Sequence, residues 1–362
     1  MKYSFDSNKP LYLQLYEQIK NDIISGAYEV GSKLPSKRTL AAESGMSAIT
    51  IEHAYGLLAE EGYVEARERS GYFVTFKAGD GFTLPTSPIT DYTFSAQSDN
   101  SPRFPFSVLC KTMRKVMSEY DEAILNRSPN KGLTKLRKVI SNYLMRNRGI
   151  CASYEQIVIG SGAEYLYGLI VSLLTKDKFY GIEYPSYEKI EKVYTSQGVS
   201  CQLLPLTIDG IDSSALSKTS AHVLHITPYR SFPTGITASA SKRHEYVRWA
   251  ENGRYLVEDD FESEFSVLTK PEETLFSLSK SDNVFYLNTF SKTISPSLRI
   301  GYMVLPKNLV NAFDDKLGFY SCPVPTFEQL VLTELISSGD FERHINRVRR
   351  KKRKDMSANQ LR

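Results

Sequence analysis

Residues 284–301 have the sequence VFYLNTFSKTISPSLRIG. An apolar, β-rich run ends near Thr289, and a polar segment that contains Lys292 and Arg299 follows it. In α/β sheets, the groups that bind ligands lie where the strands end, which is the position of this lysine. A single S-x-K triplet is common, so its meaning depends on the rest of the chain.

The same pattern recurs on the N-terminal side of this segment. Strand-like runs occur at residues 156–162 (QIVIGSG), 178–185 (KFYGIEYP), 221–228 (AHVLHITP) and 254–260 (RYLVEDD), and helical patterns occur at 133–150 and 163–174. Alternating strands and helices predict an α/β domain with a mostly parallel sheet. We expect its ligand groups at the carboxyl ends of the strands.

Chemically useful side chains follow these strands. A lysine amine can hold an aldehyde cofactor as a Schiff base, and a carboxylate can pair with a pyridine nitrogen. Hydroxyls, an arginine and free helix-start amides can bind phosphate, and an aromatic face can stack on a ring. The candidates are Lys292 for attachment, Asp259 or Asp260 for the pyridine nitrogen, Tyr187 for stacking, and Thr289, Ser291, Arg299 and the turn Ser161, Gly162 and Ala163 for phosphate.

Each candidate also has an ordinary structural explanation. Most lysines are surface residues, a Ser-Gly pair is common in turns that bind nothing, and Tyr187 could be a core aromatic. His222 and His225 form an H-x-x-H pattern on a strand that we expect to be buried. We interpret both histidines as core residues and expect no metal site.

The first 76 residues have a different, mainly helical pattern. Apolar residues recur at every fourth position from Leu11 to Ile23, which predicts an amphipathic helix. Ser36 and Ser47 are placed to cap two further helices around a glycine turn, an arrangement typical of a helix-turn-helix. Residues 63–76 alternate and break at Ser-Gly, which predicts a two-stranded hairpin.

Four motifs occur here in order: G-x-K-L-P-S-K-R, G-M-S-x-x-T-I, E-E-G-Y-V and S-G-Y-F-V. Together they resemble the winged-helix domain of the GntR regulators, which implies a double-stranded DNA operator as a partner, with the second helix in the major groove. The DNA-binding candidates are Ser36 and Lys37, which can contact phosphate, and Arg38, Ser47, Thr50 and Gly71, which the resemblance assigns to DNA contact or to the wing. The family often has arginine after the serine, where this chain has Ala48.

The remaining motifs are G-S-G, Y-P-x-Y, F-P-T-G, E-D-D-F and S-K-T-x-S-P-x-x-R-x-G. Their order resembles fold-type I enzymes that use pyridoxal 5′-phosphate (PLP), and with the winged helix it is similar to the MocR/GabR subfamily of GntR regulators. The resemblance implies that Lys292 forms the internal aldimine, that Asp259 and not Asp260 pairs with the pyridine nitrogen, and that the other candidates hold the PLP ring and phosphate. It also implies a homodimer, because fold-type I sites are shared between subunits.

Three departures from the subfamily are visible. A tyrosine that bonds the cofactor's phenolic oxygen is commonly found where this chain has Phe261, so one hydroxyl is lost. Tyr229, Arg230 and Ser231 stand where relatives often have S-H-Q, so we expect the substrate side of the pocket to differ. Family members continue beyond the position of Arg362 and carry there an arginine for the ligand carboxylate, so we expect a truncated C-terminal small domain.

The composition of the chain limits the remaining possibilities. Its 362 residues, 41% of them hydrophobic, with a net charge of +4, suit two globular domains. No segment approaches the roughly 20 apolar residues of a membrane span, and the four cysteines form no C-x-x-C pair, so we expect a cytoplasmic protein. We predict a GntR-type winged-helix domain over 1–76, a linker over 77–92 and an aminotransferase class I/II-like PLP domain over 93–362.

Three functions are compatible with this organisation. The first is a transcription regulator in which an amino acid or amine effector is sensed through aldimine exchange and changes DNA binding. The second is an active aminotransferase in which Lys292 also transfers the proton. The third is a degenerate module that binds DNA without a ligand site. The winged helix favours the first, since a plain aminotransferase has no use for it.

Overall fold

The computed structural model describes residues 10–77, 103–251, 253–268 and 272–360. For residues 358–360 it describes the backbone only. The chain divides into two compact units, Met1–Gln97 and Ser98–Arg362. Apart from Lys77, the predicted linker over 77–92 lies outside the described residues.

The first unit is a winged helix-turn-helix, as predicted. Its elements are α1 (Leu11–Ile24), α2 (Lys37–Ser44), α3 (Ala48–Glu60), β1 (Val64–Arg67) and β2 (Gly71–Val74). The hydroxyls of Ser36 and Ser47 each accept a hydrogen bond of 3.1 Å from the backbone N–H three residues later, which starts α2 and α3. Gly45 ends α2 with φ at 72°, a left-handed conformation that favours glycine. The two strands pair antiparallel, so the hairpin is present.

The second unit alternates helices and strands. It contains α4 (Phe106–Tyr120), α5 (Thr134–Arg148), β3 (Ile157–Gly160), α6 (Ala163–Leu174), β4 (Tyr180–Tyr184), α7 (Glu188–Ser196), β5 (Cys201–Thr207), β6 (Gly210–Ile211), α8 (Ser213–Lys218), β7 (Val223–Ile226), α9 (Ala240–Ala250), β8 (Tyr255–Asp259), α10 (Leu275–Leu278), β9 (Val284–Thr289), β10 (Gly301–Val304), α11 (Val310–Leu317), α12 (Thr326–Ser337) and α13 (Asp340–Gln360). The predicted helices over 133–150 and 163–174 correspond to α5 and α6.

The strands of this unit form one sheet in the order β3-β10-β9-β8-β7-β4-β5-β6. The neighbours from β9 through β8, β7 and β4 to β5 are parallel. β10 is antiparallel to β9 and β3, and β6 is antiparallel to β5. The prediction of a mostly parallel sheet is confirmed, although β5, β6 and β10 were not predicted from the sequence.

Helices cover both faces of the sheet, which is why its central strands are apolar throughout. On one face, α6 packs on the sheet through Leu166 and Ile170, in a cluster that includes Val257 and Phe285 of β8 and β9. On the other face, Tyr246 of α9 belongs to a second cluster, and α5 and α12 belong to a third. In the described ranges, no helix has both the length and the apolar character needed to cross a membrane.

The topology brings the predicted site together. Strands β3, β4, β7, β8 and β9 all run in the same direction, so their carboxyl ends share one edge of the sheet. The segments that follow them carry Ala163, Tyr187, Asp259 and Lys292. Arg299 lies at the same edge because it immediately precedes the antiparallel strand β10.

Candidate functional site

A cavity of about 290 Å³ opens at this edge of the sheet. Its volume is close to the lower limit for small-molecule pockets, about 300 Å³. Seven of the predicted residues line it: Ala163, Tyr187, Asp259, Thr289, Ser291, Lys292 and Arg299. Ser161 and Gly162 do not line it but form the turn that immediately precedes α6.

Lys292 lies in the turn after β9, with its amine facing other charged and aromatic groups. Its Nζ lies 4.6 Å from the ring centroid of Phe261 and 3.7 Å from Glu262 Oε1. The side chain is 37% exposed, so the amine is accessible from the cavity and is not sealed in the core. An accessible lysine amine beside a small cavity can attach a carbonyl compound.

Asp259 ends β8 and is held by buried aromatic side chains. The Tyr167 hydroxyl donates a hydrogen bond to Asp259 Oδ2, and His225 Nε2 lies 3.7 Å from the same oxygen. Burial keeps the pKa of Tyr167 well above its ordinary value, so this hydroxyl stays protonated and can donate. Asp259 also lines the cavity, so the supported carboxylate can face a ligand.

The neighbouring Asp260 has a different environment. It accepts hydrogen bonds of 2.7 Å from Arg148 Nη2 and from the Tyr286 hydroxyl, all three being buried side chains. Adjacent residues of a strand point to opposite faces of the sheet, so only one of the two aspartates can face the cavity. Asp259 lines the cavity, whereas Asp260 is hydrogen-bonded within the core.

The start of α6 and Arg299 form one part of the cavity lining, which we call its α6 end. Gly162 precedes this helix with φ at 98°, a conformation that L side chains rarely adopt, so glycine is favoured there. The first backbone N–H groups of α6 lie beside the Arg299 guanidinium, a combination suited to an anion. Arg299 Nη2 also contacts Glu164 Oε2 at 2.9 Å, so a carboxylate is already present at this end.

Glu164 is the feature least expected in a phosphate site. Burial alone would raise its pKa, but hydrogen bonds from the α6 backbone and Arg299 lower the pKa overall, so Glu164 carries a negative charge. Lys189 lies 3.4 Å from its other oxygen. A bound phosphate would therefore share Arg299 with Glu164 or displace it.

Two aromatic rings form a wall of the cavity. Tyr187 and Phe232 meet edge to face, with ring centroids 6.2 Å apart. Phe232 follows Ser231, whose hydroxyl donates a hydrogen bond to the buried Glu183. Burial raises the pKa of Glu183 to about 7 despite this hydrogen bond. The wall is thus anchored to the sheet through a buried carboxyl group.

The donor set of the cavity fits PLP. Its lining offers a lysine amine, the supported carboxylate of Asp259, an arginine and helix-start amides. A tyrosine is available to stack on the ring, and two hydroxyls, those of Thr289 and Ser291, line the wall. Two features reduce the fit: Phe261 has no hydroxyl, and Glu164 adds a negative charge at the α6 end.

The predicted DNA-contact residues of the first unit lie at the starts of α2 and α3 and in the hairpin. Ser47 Oγ lies 2.8 Å from Thr50 Oγ1 at the start of α3. Arg38 is exposed on α2, whereas the Lys37 amine is paired with Glu52, which raises the pKa of Lys37. Gly71 opens the second strand of the hairpin with φ at 110°. Arg38 is therefore freer than Lys37 to meet a phosphate.

Sequence reasoning missed several residues of these sites. Tyr167 was treated only as part of an apolar helix, and no pattern in the sequence indicates that it meets Asp259. The H-x-x-H motif did draw attention to His225, which is buried as expected but also lies near that carboxylate. The same prediction was wrong for His222, which is exposed because it precedes β7 and lies outside the buried part of the sheet. Ile49 is 67% exposed on the first turn of α3 and is a further candidate for DNA contact. An apolar residue at the start of this helix was the feature of the sequence that could have identified it.

Two family models match the chain. "Bacterial regulatory proteins, gntR family" covers residues 11–74, and "Aminotransferase class I and II" covers residues 98–361. The fold and the cavity thus define a two-part protein, a winged helix followed by an aminotransferase-class domain. The chain belongs to the gntR family of bacterial regulators, in the group that carries an aminotransferase domain.

Several relatives are similar to this chain over nearly its whole length. The HTH-type transcriptional regulator YdeL of Bacillus subtilis is 32% identical over 95% of this chain and 77% of its own length. MocR of Rhizobium meliloti is 26% identical over 95% of this chain and 75% of its own length. PdxR of Corynebacterium glutamicum, an HTH-type pyridoxine biosynthesis transcriptional regulator, is 29% identical over 93% of this chain and 75% of its own length.

Solved structures resemble the second unit. Kynurenine aminotransferase of Pyrococcus horikoshii has a TM-score of 0.64 and 25% identity, and the match covers 71% of this chain and 67% of that one. A multiple substrate aminotransferase of Thermococcus profundus also has a TM-score of 0.64, with 22% identity over 71% of this chain and 68% of its own. The second unit therefore has the aminotransferase fold.

Proposed function

We propose that this chain is a DNA-binding transcription regulator that holds PLP on Lys292 and responds to a small amino acid or amine. The observation that carries the proposal is that Lys292, Asp259 and Arg299 line one cavity of an aminotransferase-class domain. The same chain contains a winged helix-turn-helix with exposed residues at the start of α3. A regulator uses both parts, whereas an enzyme uses only one.

In this proposal each residue of the site binds a different part of the cofactor. Lys292 attaches it through Nζ, Asp259 pairs with the pyridine nitrogen, and Tyr187 stacks on the ring. Thr289, Ser291, Arg299 and the turn Ser161, Gly162 and Ala163 hold the phosphate. Bound there, PLP supplies a carbonyl carbon that reacts reversibly with primary amines, which is the chemistry needed to recognise an amine effector.

The arrangement around Asp259 supports its part of the proposal. A carboxylate that pairs with a pyridine nitrogen must keep its negative charge in a partly buried position. The Tyr167 hydroxyl donates to that carboxylate, and a hydrogen bond to the charged form of an acid stabilises that form. Asp259 is therefore prepared to meet a positively charged ring nitrogen.

We also propose the domain limits and the assembly. The winged-helix domain would occupy residues 1–76, the linker 77–92 and the PLP domain 93–362, and the chain would act as a homodimer on an operator in double-stranded DNA. The homodimer is proposed from the resemblance to fold-type I PLP enzymes, whose sites are shared between subunits.

The proposal is tested by DNA binding with and without effector. The protein is loaded with PLP, and a library of duplexes is used to select a bound sequence. Its affinity is then measured with a panel of amino acids and amines. We expect at least one compound to change the affinity, and Lys292→Ala to abolish that change while leaving basal DNA binding intact. If no compound changes the affinity, or if the Lys292→Ala protein responds equally, the sensing proposal is wrong.

A second candidate function is aminotransferase activity, which the retained Lys292 favours. The accessible amine could transfer a proton as well as attach the cofactor. Steady formation of a keto acid from an amino acid and an acceptor would support it. A change in absorption or DNA binding without keto-acid formation would support sensing alone.

A further inference from the structure

Lys292, which lines the cavity, and three charged side chains near it form a group at the rim of the cavity. The two carboxylate oxygens of Glu262 contact different cations: Oε1 lies 3.7 Å from Lys292 Nζ, and Oε2 lies 3.8 Å from Arg230 Nε. Lys352 of α13 is a third cation of this group. Burial is the main cause that lowers the pKa of Lys352; the charges of Arg230 and Lys292 lower it further, and the charge of Glu262 raises it. One carboxylate thus faces three cations.

Arg230 is held firmly by its backbone while its guanidinium stays accessible. Its N–H donates to Thr237 Oγ1 at 3.1 Å, and the next residue, Ser231, donates its own N–H to the Ile236 carbonyl at 2.8 Å. The Ser231 hydroxyl is bonded to the buried Glu183, which ties this turn to the sheet. The Arg230 side chain is 49% exposed, so the turn fixes its base and leaves its end free for a ligand.

The contacts of Glu262 are loose. Both exceed the 2.7–2.9 Å of a charge-assisted hydrogen bond, so the carboxylate lies between its cations without a close bond to either. An arginine prefers a carboxylate that it can bind through two parallel N–H donors. Another carboxylate at this position could replace Glu262 at little electrostatic cost, because one negative charge would replace another.

We infer that Arg230 binds the carboxylate of the effector, with Glu262 holding its place when no effector is present, so that the effector is an amino acid and not a plain amine. The inference rests on the proposed function, because it concerns the ligand of the same cavity. It follows from the position of Arg230, whose counter-ion Glu262 also contacts the lysine that would hold the cofactor. The excess of positive charge at this rim favours a ligand that carries a negative group.

The competing possibility is a ligand with a second cationic group that pairs with Glu262. The charges at the rim disfavour it, because Glu262 is already shared between Arg230 and Lys292 and because Lys352 adds a further positive charge. A diamine would bring a like charge to this rim. The experiment below includes a diamine for this reason.

The test uses the PLP-loaded full chain and matched pairs of ligands that differ only in the carboxylate. The pairs are L-alanine with ethylamine and L-lysine with 1,5-diaminopentane, titrated by the change in cofactor absorption. The variants are Arg230→Gln, Arg230→Lys and Glu262→Gln. Arg146→Gln is the control. Arg146 is also an exposed arginine, at 53%, that pairs with a glutamate, Glu342, and neither residue lines the cavity.

We expect Arg230→Gln to weaken the amino acids at least tenfold and the amines less than twofold, and Arg230→Lys to recover part of the loss. We expect Glu262→Gln to tighten the amino acids, because the competing carboxylate is removed. Arg146→Gln should bind every ligand as the wild type does.

Two results would overturn the inference. One is a loss in Arg230→Gln that is equal for both members of a pair, or absent for the amino acids. The other is a weakening of 1,5-diaminopentane in Glu262→Gln, which would assign the rim to a cationic group. A wild-type protein that responds to neither member of any pair contradicts the proposed function itself, and the inference is lost with it.

Discussion

His225 Nε2 lies 3.7 Å from Asp259 Oδ2, while the other ring nitrogen of His225, Nδ1, lies 2.7 Å from the Tyr194 hydroxyl oxygen. Burial keeps the pKa of Tyr194 well above its ordinary value, so this hydroxyl is protonated and can donate to Nδ1. Nδ1 then accepts this hydrogen bond, so the ring N–H lies on Nε2 and faces the carboxylate at a distance longer than a hydrogen bond. Tyr167 donates directly to the same oxygen and is the main support of Asp259.

This arrangement predicts that Tyr167→Phe weakens PLP binding. A hydrogen bond to a charged group contributes about 1.5–3 kcal/mol, and its loss leaves Asp259 less able to hold a positively charged ring nitrogen. We expect the PLP affinity of the apoprotein, measured by fluorescence titration, to fall about tenfold or more. Tyr194→Phe should have a smaller effect, because it acts through His225. Equal affinity in wild type and Tyr167→Phe would remove Asp259 from the proposed cofactor contacts.

Glu164 predicts a change in the opposite direction. Its carboxylate occupies Arg299 at 2.9 Å, where the phosphate is proposed to bind. Glu164→Gln removes a negative charge but keeps the shape of the side chain, so we expect tighter binding of both PLP and inorganic phosphate. Arg299→Gln should weaken both ligands. Weaker phosphate binding in Glu164→Gln would show that the carboxylate helps to build this end of the cavity.

The buried Glu183 predicts a pH-dependent contribution to stability. Burial raises its pKa to about 7 in the folded protein from an ordinary value of 4.5. The folded state therefore keeps a proton that the unfolded chain loses above pH 4.5, so the contribution is complete below pH 4.5 and is lost as the pH rises through about 7. For this shift the full difference is roughly 3 kcal/mol.

Glu183→Gln tests this sign, because glutamine cannot ionise. Thermal unfolding measured from pH 5 to pH 9 should show that the variant gains stability relative to the wild type as the pH rises. The comparison isolates Glu183 because Glu258 and Glu264, also buried with pKa values raised to about 7, are present in both proteins. A constant difference between the two proteins across this range would mean that Glu183 is ionised in the fold.

The winged helix predicts two kinds of DNA contact that can be separated by salt. Arg38 is exposed and carries a charge, so Arg38→Ala should weaken binding to all duplexes and reduce the dependence of affinity on salt. Ile49 is 67% exposed and uncharged, so Ile49→Ala should weaken binding to the selected sequence and leave the salt dependence unchanged. An apolar side chain can contact the thymine methyl group in the major groove. If the two variants behave alike, our placement of α3 in the groove is wrong.

The sequence was sufficient for the fold where periodicity and caps are strong. Ser36 and Ser47 start helices as predicted, and the apolar runs that end at Gly160, Asp259 and Thr289 are strands. Strand β5 was missed because its burial pattern is mixed and it contains Pro205. Strand β10 was also missed, although β3 and β7 are equally short, because its place between β3 and β9 depends on antiparallel pairing that no local pattern records.

The candidate site was predictable only in its outline. Residues that follow strands converge on one edge of a parallel sheet, so Lys292, Asp259 and Tyr187 could be placed together from their order alone. Tyr167 and Glu164 come from one helix, and their contacts with Asp259 and Arg299 depend on how α6 is rotated on the sheet. That rotation is set by packing between elements far apart in sequence, which no local pattern records.

The most direct test of the account is the identity of the lysine that holds PLP. The protein is loaded with PLP, reduced with borohydride to fix the attachment, digested and examined by mass spectrometry. We predict that the pyridoxyl phosphate group is found on Lys292 and that Lys292→Ala neither carries it nor shows the absorption band of the bound cofactor. Modification of another lysine, or no modification of the wild type, would contradict the account.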